Sequence, residues 1–477
     1  MKRVSRQTPT HATGIVHLGL GAFSRAHIAI YTEDAIANSG GDWGIVGVSL
    51  RSPKTRDALA DQQYAYTAAQ LDGGQTTTRQ VEVISNVLVA SENASEILEQ
   101  MAQPAIKIVS LTITEKGYCL SPSTGTLNLY HPDIVSDLRN SHPVSAAGFL
   151  VRALEARKLA GHPPFTVLSC DNLPENGSVI RHVVLTLAEH INVDLMQWIE
   201  EHGCFPSTMV DRITPATTSK DQDSINTLTG FYDAAPVVHE PFSQWVIEDD
   251  FVNKERPHWE SAGAELVSNV RPYELMKLRM LNGTHSALAY LGYLAGFETI
   301  ADTVANEDFR AFTETLWVKE IIPTVTAPPG VSLSKYADEL LQRYTNTSVR
   351  HLTWQIAMDG SQKLPQRILG PVSERLAAAA LAPGLILSIA AWMHYVRGID
   401  ESGARIDVRD PYAEIFAALA ATTNNPEDWV ANLLGMTDVF PESVAVALSA
   451  PVTRAYRELV DCGAHSTVCT VVQDYPT

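Results

Sequence analysis

Residues 271–296, RPYELMKLRMLNGTHSALAYLGYLAG, place Lys277, Asn282 and His285 in a stretch that is otherwise largely apolar. Burying a lysine ammonium is costly unless it is paired or neutralised. A lysine withdrawn from water has a lowered pKa and can act as a general base near neutral pH. The alternative is an exposed polar face, but the apolar Leu281 falls on the same side. We therefore favour a catalytic role for these residues.

The stretch predicts one continuous α-helix. At about 100° per residue, Lys277, His285 and Asn282 fall at about 0°, 80° and 140° around the axis, on one side of the helix. Lys277 and His285 would lie about 12 Å apart along the axis, a separation suited to bracketing a ligand.

The same stretch contains a rival motif. Tyr273 and Lys277 have the Tyr-x-x-x-Lys spacing by which short-chain dehydrogenases use tyrosine as the base. That motif normally lies inside the dinucleotide-binding domain, whereas this one lies beyond the α/β part of the chain. We treat the spacing as a coincidence that can be tested.

A second polar segment, TWQIAMDGSQKLPQR at residues 353–367, contains Lys363 and Arg367 and follows Arg350. Its Gly and Pro residues predict a loop between apolar helices. Such a loop supplies cations that can hold the hydroxyl or carboxylate groups of a substrate. A plain exposed loop would have the same composition.

The N-terminal run GIVHLGLG at 14–21 predicts a buried strand that ends in glycines. Glycines directly after a strand and before a helix allow a tight turn and let backbone N–H groups approach a pyrophosphate. The third glycine of the usual fingerprint is Ser24 here. We expect a dinucleotide to contact Gly19, Gly21, Ala22 and Phe23.

The choice of cofactor depends on the end of the next strand. A carboxylate there would hydrogen-bond the ribose hydroxyls of NAD. The chain has SLRS instead, with Arg51 and no acid. NAD is the expected cofactor, and NADP stays open.

Polar residues also follow two later strands. In SLTITEKGYC at 110–119, Thr114 and Glu115 follow the strand and, like Arg51, are expected to contact the cofactor. LSCDNLPENG at 168–177 contains Asp171 and Asn172. Ligands of open α/β sheets bind at the carboxyl ends of the strands. Asp and Asn also suit caps and turns. For Asp171 the two interpretations are equally supported, whereas for Asn172 we favour a functional role.

The elements that position these residues form two domains. Five strand-like runs lie at residues 14–21, 43–50, 81–90, 107–114 and 165–172. Helical stretches alternate with them, which predicts a mostly parallel sheet of Rossmann type. After about residue 268 the pattern becomes Ala- and Leu-rich and helical. We predict an α/β fold with a dinucleotide-binding Rossmann domain at 1–268 and a mainly α-helical substrate and catalytic domain at 269–477.

The composition limits the classes of molecule that the protein is expected to bind. With 35 basic and 54 acidic residues the net charge is −19, and such a field repels nucleic acid and anionic membranes. Five scattered cysteines without a CxxC pair indicate a reducing compartment and no metal site. Pro383 and Gly384 divide the apolar stretch 376–393, which predicts two buried helices rather than a membrane span. No signal peptide is evident, and we expect a cytoplasmic protein.

Seven motifs together resemble the mannitol dehydrogenase family, the polyol-specific long-chain dehydrogenases and reductases. They occur in the family's order and cover most of the chain: GLGAFSRAH, SLTITEKGY, SCDNLPENG, MVDRITPAT, EPFSQWVIEDDF, KLRMLNGTHS and DGSQKLPQR. The resemblance implies the same two domains and a metal-independent hydride transfer.

The resemblance also implies roles for individual residues. Lys277 matches the family's catalytic base, and Asn172 and Asn282 match the pair that hydrogen-bonds the reacting oxygen. His285 matches a residue that orients the substrate, and Glu274 one that helps to pass the proton to solvent. The expected substrate-binding residues are Lys363, Arg350, Arg367 and Asp211.

Within the family, SLRSP, TEKGYC and TWQIAMDGSQKLPQR look closest to the mannonate oxidoreductase (fructuronate reductase) branch. We therefore expect D-mannonate and D-fructuronate as the substrate pair, and mannitol or a related polyol such as arabinitol or sorbitol as the alternative. The chain departs from the family pattern at two places that concern the cofactor and substrate pockets. Ser24 stands where the family commonly has histidine, and DQQYAYT at 61–67 replaces the common PQDGLYT.

A different class of protein is the remote alternative, an NAD(H)-binding sensor without turnover. A buried set of Lys, Asn and His would be costly and without use in such a sensor. The expected partner is a small sugar acid or polyol, and the expected assembly is a monomer or a small homo-oligomer.

Overall fold

The computed structural model describes residues 1–121 and 124–475. The chain divides into two compact units, residues 1–271 and 272–477.

A five-stranded parallel sheet forms the centre of the first unit. Its strands are β1 (Thr13–Leu18), β2 (Gly44–Ser49), β3 (Ile84–Val89), β4 (Ile108–Leu111) and β5 (Thr166–Ser169). They lie in the order β3-β2-β1-β4-β5, and every neighbouring pair is parallel. The order reverses at β1, so the turn after β1 lies where ligands bind in open α/β sheets. The predicted Rossmann-type sheet is confirmed.

Short strands and helices complete the first unit. The strands form three small sheets and are Lys2–Arg3, Tyr66–Asp72, Gln75–Val81, Thr208–Asp211, Phe231–Tyr232, Val237–His239, Gln244–Glu248 and Glu265–Val267. The helices, including two 3₁₀ turns at the end, are Ala22–Ala26, Ile28–Ser39, Lys54–Ala60, Ala94–Ala102, Thr114–Gly117, Pro132–Arg139, Ala146–Leu159, Asn176–Ile191, Val193–His202, Ser219–Thr229, Val252–Lys254 and Trp259–Ala262.

One predicted strand is confirmed with a later start. The apolar run at 81–90 predicted a single strand, but the structure has Gln75–Val81 and β3, which belong to different sheets. The first strand pairs antiparallel with Tyr66–Asp72, whereas β3 pairs parallel with β2. The break falls at Glu82, whose carboxylate accepts hydrogen bonds from backbone N–H groups of the N-terminal segment. Apolar content alone does not reveal such a change of sheet.

The described residues of the second unit are mainly helical, as predicted. Its helices are Arg271–Met276, Thr284–Leu294, Ile300–Ala305, Glu307–Thr315, Ile322–Thr324, Leu333–Tyr344, Thr353–Ala357, Gly360–Leu364, Gly370–Ala377, Pro383–Tyr395, Ala413–Thr422, Pro426–Leu434, Glu442–Cys462 and Ala464–Gln473, with π-helices at Lys277–Gly283, Leu316–Ile321 and Pro365–Leu369. Their apolar faces meet in one core that contains the buried indoles of Trp317, Trp392 and Trp429.

The stretch at 271–296 is not the single regular α-helix that its periodicity predicted. Arg271–Met276 and Thr284–Leu294 are α-helical, but Lys277–Gly283 between them is a π-helix, which we call the π-turn. In a π-helix each backbone hydrogen bond spans five residues instead of four, so the rotation per residue is smaller. The angles assigned at 100° per residue therefore do not hold across this turn.

The segment at 353–367, predicted as a loop, is mostly helical. Thr353–Ala357 and Gly360–Leu364 are α-helices, and Pro365–Leu369 is a π-helix. Pro365 occupies the first position of its helical segment, where a missing N–H is tolerated. Gly and Pro mark the boundaries between short helices here, which the prediction mistook for a loop.

The apolar stretch at 376–393 contributes to two helices, Gly370–Ala377 and Pro383–Tyr395, as predicted. The buried carboxylate of Glu320 accepts hydrogen bonds from two N–H groups at the start of the second helix, at 2.7 and 2.8 Å. Among the described residues, no helix combines the length and the apolar character needed to cross a membrane.

Candidate functional site

The glycine turn after β1 has the backbone that a dinucleotide site needs. Gly19 has a φ of 91°, and a Cβ there would lie 2.2 Å from the carbonyl oxygen of Thr112, so only glycine fits. Gly21 is exposed and directly precedes the helix Ala22–Ala26. Ser24 accepts a hydrogen bond from the Gly21 N–H at 3.0 Å. The serine in place of the usual third glycine therefore caps the start of this helix.

The other residues predicted to contact the cofactor lie close to the carboxyl edge of the same sheet. Ala22 and Phe23 are half-buried after β1, and Arg51 and Glu115 are exposed after β2 and β4. Thr114 is also exposed and has a left-handed φ of 63°. Because β1, β2 and β4 are parallel neighbours, their carboxyl ends share one edge. The fold thus brings the predicted cofactor residues to one side of the sheet.

Asp171 holds two strand ends of this edge together. Its carboxylate accepts hydrogen bonds from the N–H groups of Ile113 at 3.1 Å and Thr114 at 2.7 Å, and from the Tyr118 hydroxyl at 2.9 Å. Burial raises the pKa of Asp171 above its usual value. These contacts favour the capping interpretation of Asp171. The next residue, Asn172, is exposed.

His17, which the sequence analysis missed, supports the glycine turn from within the sheet. Its Nδ1 lies 2.8 Å from the Ser110 hydroxyl and its Nε2 lies 2.9 Å from the Thr112 hydroxyl. The Thr112 hydroxyl also donates to the Gly19 carbonyl at 2.9 Å. Burial lowers the pKa of His17 to about 4, so the ring is neutral at pH 7. A single histidine in an apolar strand carries no sequence signal for this role.

Asp211 belongs to a different sheet from the glycine turn. It is buried at the end of the strand Thr208–Asp211 and lies opposite Gln244 of the antiparallel neighbour. Asp211 was predicted to bind substrate, and its strand is joined to the end of β5 by the Thr208 hydroxyl, which donates to the Ser169 carbonyl at 2.7 Å.

The second unit places the predicted catalytic residues on and beside the π-turn. Lys277 begins this turn and His285 follows it, and both residues are only 8% exposed. Asn282 lies near the end of the turn, and Glu274 lies one helical turn before Lys277; both are half-buried. The prediction that this face is not solvated is confirmed for Lys277 and His285 by their burial.

Two aromatic side chains hold the backbone of the π-turn. The Trp317 indole N–H donates to the Met280 carbonyl at 3.0 Å, and the Tyr344 hydroxyl donates to the Leu281 carbonyl at 3.0 Å. A change from four-residue to five-residue hydrogen bonds shifts the register of the backbone carbonyls, which then require matching donors. These two side chains stabilise the altered register.

The second π-helix, Pro365–Leu369, packs against the π-turn. A Cβ on Gly283 would lie 2.9 Å from the Arg367 carbonyl oxygen, so the two backbones approach closely. The Arg367 guanidinium donates to the Ser286 hydroxyl at 3.1 Å. The Lys363 ammonium donates to two carbonyls of its own segment, at 3.3 and 2.5 Å. The fold thus brings Arg367 beside the helix that carries His285.

His285 lies among aromatic and cationic side chains. Its ring centroid is 4.6 Å from that of Tyr344 and 5.4 Å from that of His351. Burial holds the pKa of His285 well below its ordinary value, and His351 lowers it further. Arg343 and Arg367 act in the same direction. Among the described residues, none hydrogen-bonds its Nε2, so this neutral ring nitrogen can bind a ligand hydroxyl.

Arg350, which was predicted to bind substrate, is exposed. Its guanidinium lies 2.7 Å from the Glu298 carboxylate, and both side chains are about two-thirds exposed. The neighbouring His351, together with Arg343 and Tyr344, contributes to the surroundings of His285 instead. The sequence analysis missed these three residues because their segment carries no recognisable motif.

Known protein families match both units of the chain. The family model described as the mannitol dehydrogenase Rossmann domain matches residues 13–261, and the mannitol dehydrogenase C-terminal domain matches residues 269–460. Two Escherichia coli (strain K12) proteins, the uncharacterised oxidoreductase YdfI and a D-mannonate oxidoreductase, are 47% and 46% identical to the chain. Each alignment covers 96% of this chain and 95% of the relative.

A solved structure is also similar over nearly the full length. It is the Pseudomonas fluorescens mannitol 2-dehydrogenase in a ternary complex with NAD and D-mannitol, with 37% identity and a TM-score of 0.88. The match covers 99% of this chain and 97% of that one.

We expect the imidazole of His351 to titrate near pH 4, because burial and then the positive charge of Arg343 lower its pKa from 6.5 to about 4. The stability that the neutral ring contributes is present above about pH 6.5 and is lost as the pH falls through about 4. Imidazole NMR of protein labelled with ¹⁵N-histidine measures this midpoint, and His351→Gln identifies the signal. A midpoint near 6.5 would show that water reaches the ring and that the surroundings of His285 are open.

Proposed function

The chain belongs to the mannitol dehydrogenase family, and on that premise we propose that it interconverts D-mannonate and D-fructuronate. Family membership makes it an oxidoreductase that acts on secondary alcohol groups with NAD. The relative named D-mannonate oxidoreductase supports a sugar acid as substrate. The solved complex with D-mannitol supports the alternative, a mannitol 2-dehydrogenase or an enzyme for a related polyol.

The observation that carries the sugar acid proposal is the positive environment of His285. Arg343 and Arg367 both lower the pKa of its ring, and Lys363 lies one turn before Arg367. A sugar acid differs from a polyol by its terminal carboxylate, to which a guanidinium can donate charge-assisted hydrogen bonds. A neutral polyol gains much less from the same cation. We assign to Arg367 the role of holding the carboxylate, with Lys363 as a further anchor.

The carboxyl edge of the first unit fits the cofactor. Gly19 adopts a conformation that only glycine allows, and the exposed Gly21 permits close approach of a pyrophosphate to the backbone. When bound, NAD supplies the acceptor for the hydride. Arg51, exposed after β2, is placed where it could also meet a 2′-phosphate, so rates with NADP remain worth measuring.

We propose that Lys277, as a neutral amine, takes the proton from the substrate hydroxyl. The Asn282 amide donates a hydrogen bond to the same oxygen as it becomes a carbonyl. The Nε2 of His285 hydrogen-bonds a neighbouring hydroxyl and so orients the substrate. Glu274, half-buried one turn before Lys277, passes the proton on to water.

We further propose a cytoplasmic location. The five cysteines at positions 119, 170, 204, 462 and 469 are free thiols in the described residues. Free thiols are typical of reducing compartments.

The assignment of the base predicts that Lys277→Ala lowers kcat by about 100-fold to 10,000-fold, because general base catalysis contributes that much. NAD affinity should stay unchanged, since the cofactor residues lie in the other unit. Nicotinamide absorbance measures turnover, and protein fluorescence measures NAD binding. Tyr273→Phe is the matched control and should keep the wild-type kcat. If Tyr273→Phe removes turnover and Lys277→Ala does not, tyrosine is the base.

The assignment of the carboxylate anchor predicts that Arg367→Gln lowers kcat/KM for D-mannonate by about 10- to 100-fold, because a hydrogen bond to a charged group contributes about 1.5–3 kcal/mol. The value for D-mannitol should change little. Arg350→Gln is the matched control, because that arginine is exposed and paired with Glu298, and it should leave both values unchanged.

Two outcomes of this comparison would contradict the assignment. An equal loss for both substrates in Arg367→Gln would limit Arg367 to supporting the helix through Ser286. A selective loss for D-mannonate in Arg350→Gln would move the carboxylate to Arg350.

A further inference from the structure

Three side chains that commonly bind metals meet in the second unit, among residues with no assigned role in the reaction. Asp308 lies in the first turn of the helix Glu307–Thr315, and His465 and Cys469 lie in the helix Ala464–Gln473. The His465 Nε2 is 2.8 Å from a carboxylate oxygen of Asp308. One ligand atom from each of the three residues lies within 4.8 Å of the other two.

The two helices orient these donors toward one another. His465 and Cys469 are four residues apart, so they lie on the same face of their helix. That helix packs against Glu307–Thr315, from which Asp308 extends. The imidazole of His465 is stacked on the ring of Phe309, with centroids 6.0 Å apart. The stacking restrains the orientation of the histidine ring.

We propose that Asp308, His465 and Cys469 bind a zinc ion, contrary to the expectation that we drew from the spacing of the cysteines. Thiolate, imidazole and carboxylate are the donors that Zn²⁺ takes, at about 2.0–2.3 Å. A cysteine ligand disfavours Mg²⁺ and Ca²⁺, which prefer oxygen donors. Three protein ligands leave the fourth tetrahedral position for water. Asp308 and His465 are exposed and Cys469 is partly exposed, so an ion can enter directly from solvent.

Zinc at this position would act on stability, although its open fourth position differs from the closed four-ligand sites usual for structural zinc. Binding replaces the thiol proton of Cys469 with the ion and links the helix near the end of the chain to Glu307–Thr315. An ion that binds only the folded protein raises its stability. Without the ion, the exposed contact between Asp308 and His465 contributes little to stability. The two interpretations therefore differ in their response to metal.

Titration of the purified, metal-free full-length protein with Co²⁺ tests the proposal, because Co²⁺ replaces zinc and absorbs light when bound by a thiolate. We expect one Co²⁺ per chain, a thiolate-to-cobalt charge-transfer band, and displacement by Zn²⁺. Cys469→Ser should abolish the band, and His465→Gln should weaken binding by more than about tenfold, since even residues that only support a ligand contribute that much. Zinc should raise the melting temperature of the wild type but not of Cys469→Ser.

Cys462→Ser is the matched control, because this cysteine is exposed on the preceding helix, and the band should persist. Absence of the band in the wild type, or its persistence in Cys469→Ser, would overturn the proposal. Loss of the band in Cys119→Ser would also overturn it, because that result would place the metal at Cys119, His131 and Asp133 of the first unit. Turnover by Cys469→Ser should equal that of the wild type, so this test is independent of the proposed reaction.

Discussion

The shift in backbone hydrogen bonding at the π-turn, Lys277–Gly283, is the constraint on which the proposed site in the helical unit depends. Trp317 and Tyr344 bind two carbonyls of this turn, and Gly283 lets the second π-helix come close. A return to α-helical register would rotate Lys277 relative to the helix that carries His285. The directions of the proposed base and of the substrate-orienting ring are therefore fixed by residues that have no role in the chemistry.

In the first unit, buried polar groups hold the backbone of the candidate cofactor site in place. Asp171 ties the end of β5 to the turn after β4, and His17 supports the glycine turn through Thr112. All these contacts are hydrogen bonds within the sheet or at its edge, where an unmet polar group would be costly. These hydrogen bonds support the backbone that carries the exposed residues at the edge, such as Gly21 and Glu115. Rigid support of this kind is what a binding site on loops requires.

The features that could be predicted from the sequence are those that hydrophobic periodicity records. The alternation of strands and helices predicted the parallel sheet, and the Ala- and Leu-rich region predicted the helical unit. The π-turn was not predictable, because apolar spacing records which side chains are buried but not how far each hydrogen bond reaches. The strand in the run at 81–90 begins only at Ile84, because Val81 ends a polar strand of another sheet and adjoins the apolar run by chance of sequence.

The candidate site likewise contains residues that carry a sequence signal and residues that carry none. Lys277, Asn282 and His285 were found because polar residues in an apolar helix are unusual, and the glycine turn was found by its spacing. Contacts between residues that are distant in the chain could not be predicted from the sequence. Nothing in residues 343–351, RYTNTSVRH, indicates that His351, rather than Arg350, lies beside His285. Likewise, 157 positions separate Asp308 from His465, so their contact is visible only in the fold.

In the proposed function, a cationic environment beside the π-turn selects a sugar acid as substrate. Initial rates of the purified enzyme with D-mannonate, D-mannitol, arabinitol and sorbitol, each with NAD and NADP, test it most directly. We expect rapid NAD reduction with D-mannonate, oxidation of NADH by D-fructuronate in the reverse direction, and little turnover of the neutral polyols. Rapid oxidation of mannitol or arabinitol with little activity on D-mannonate would contradict it.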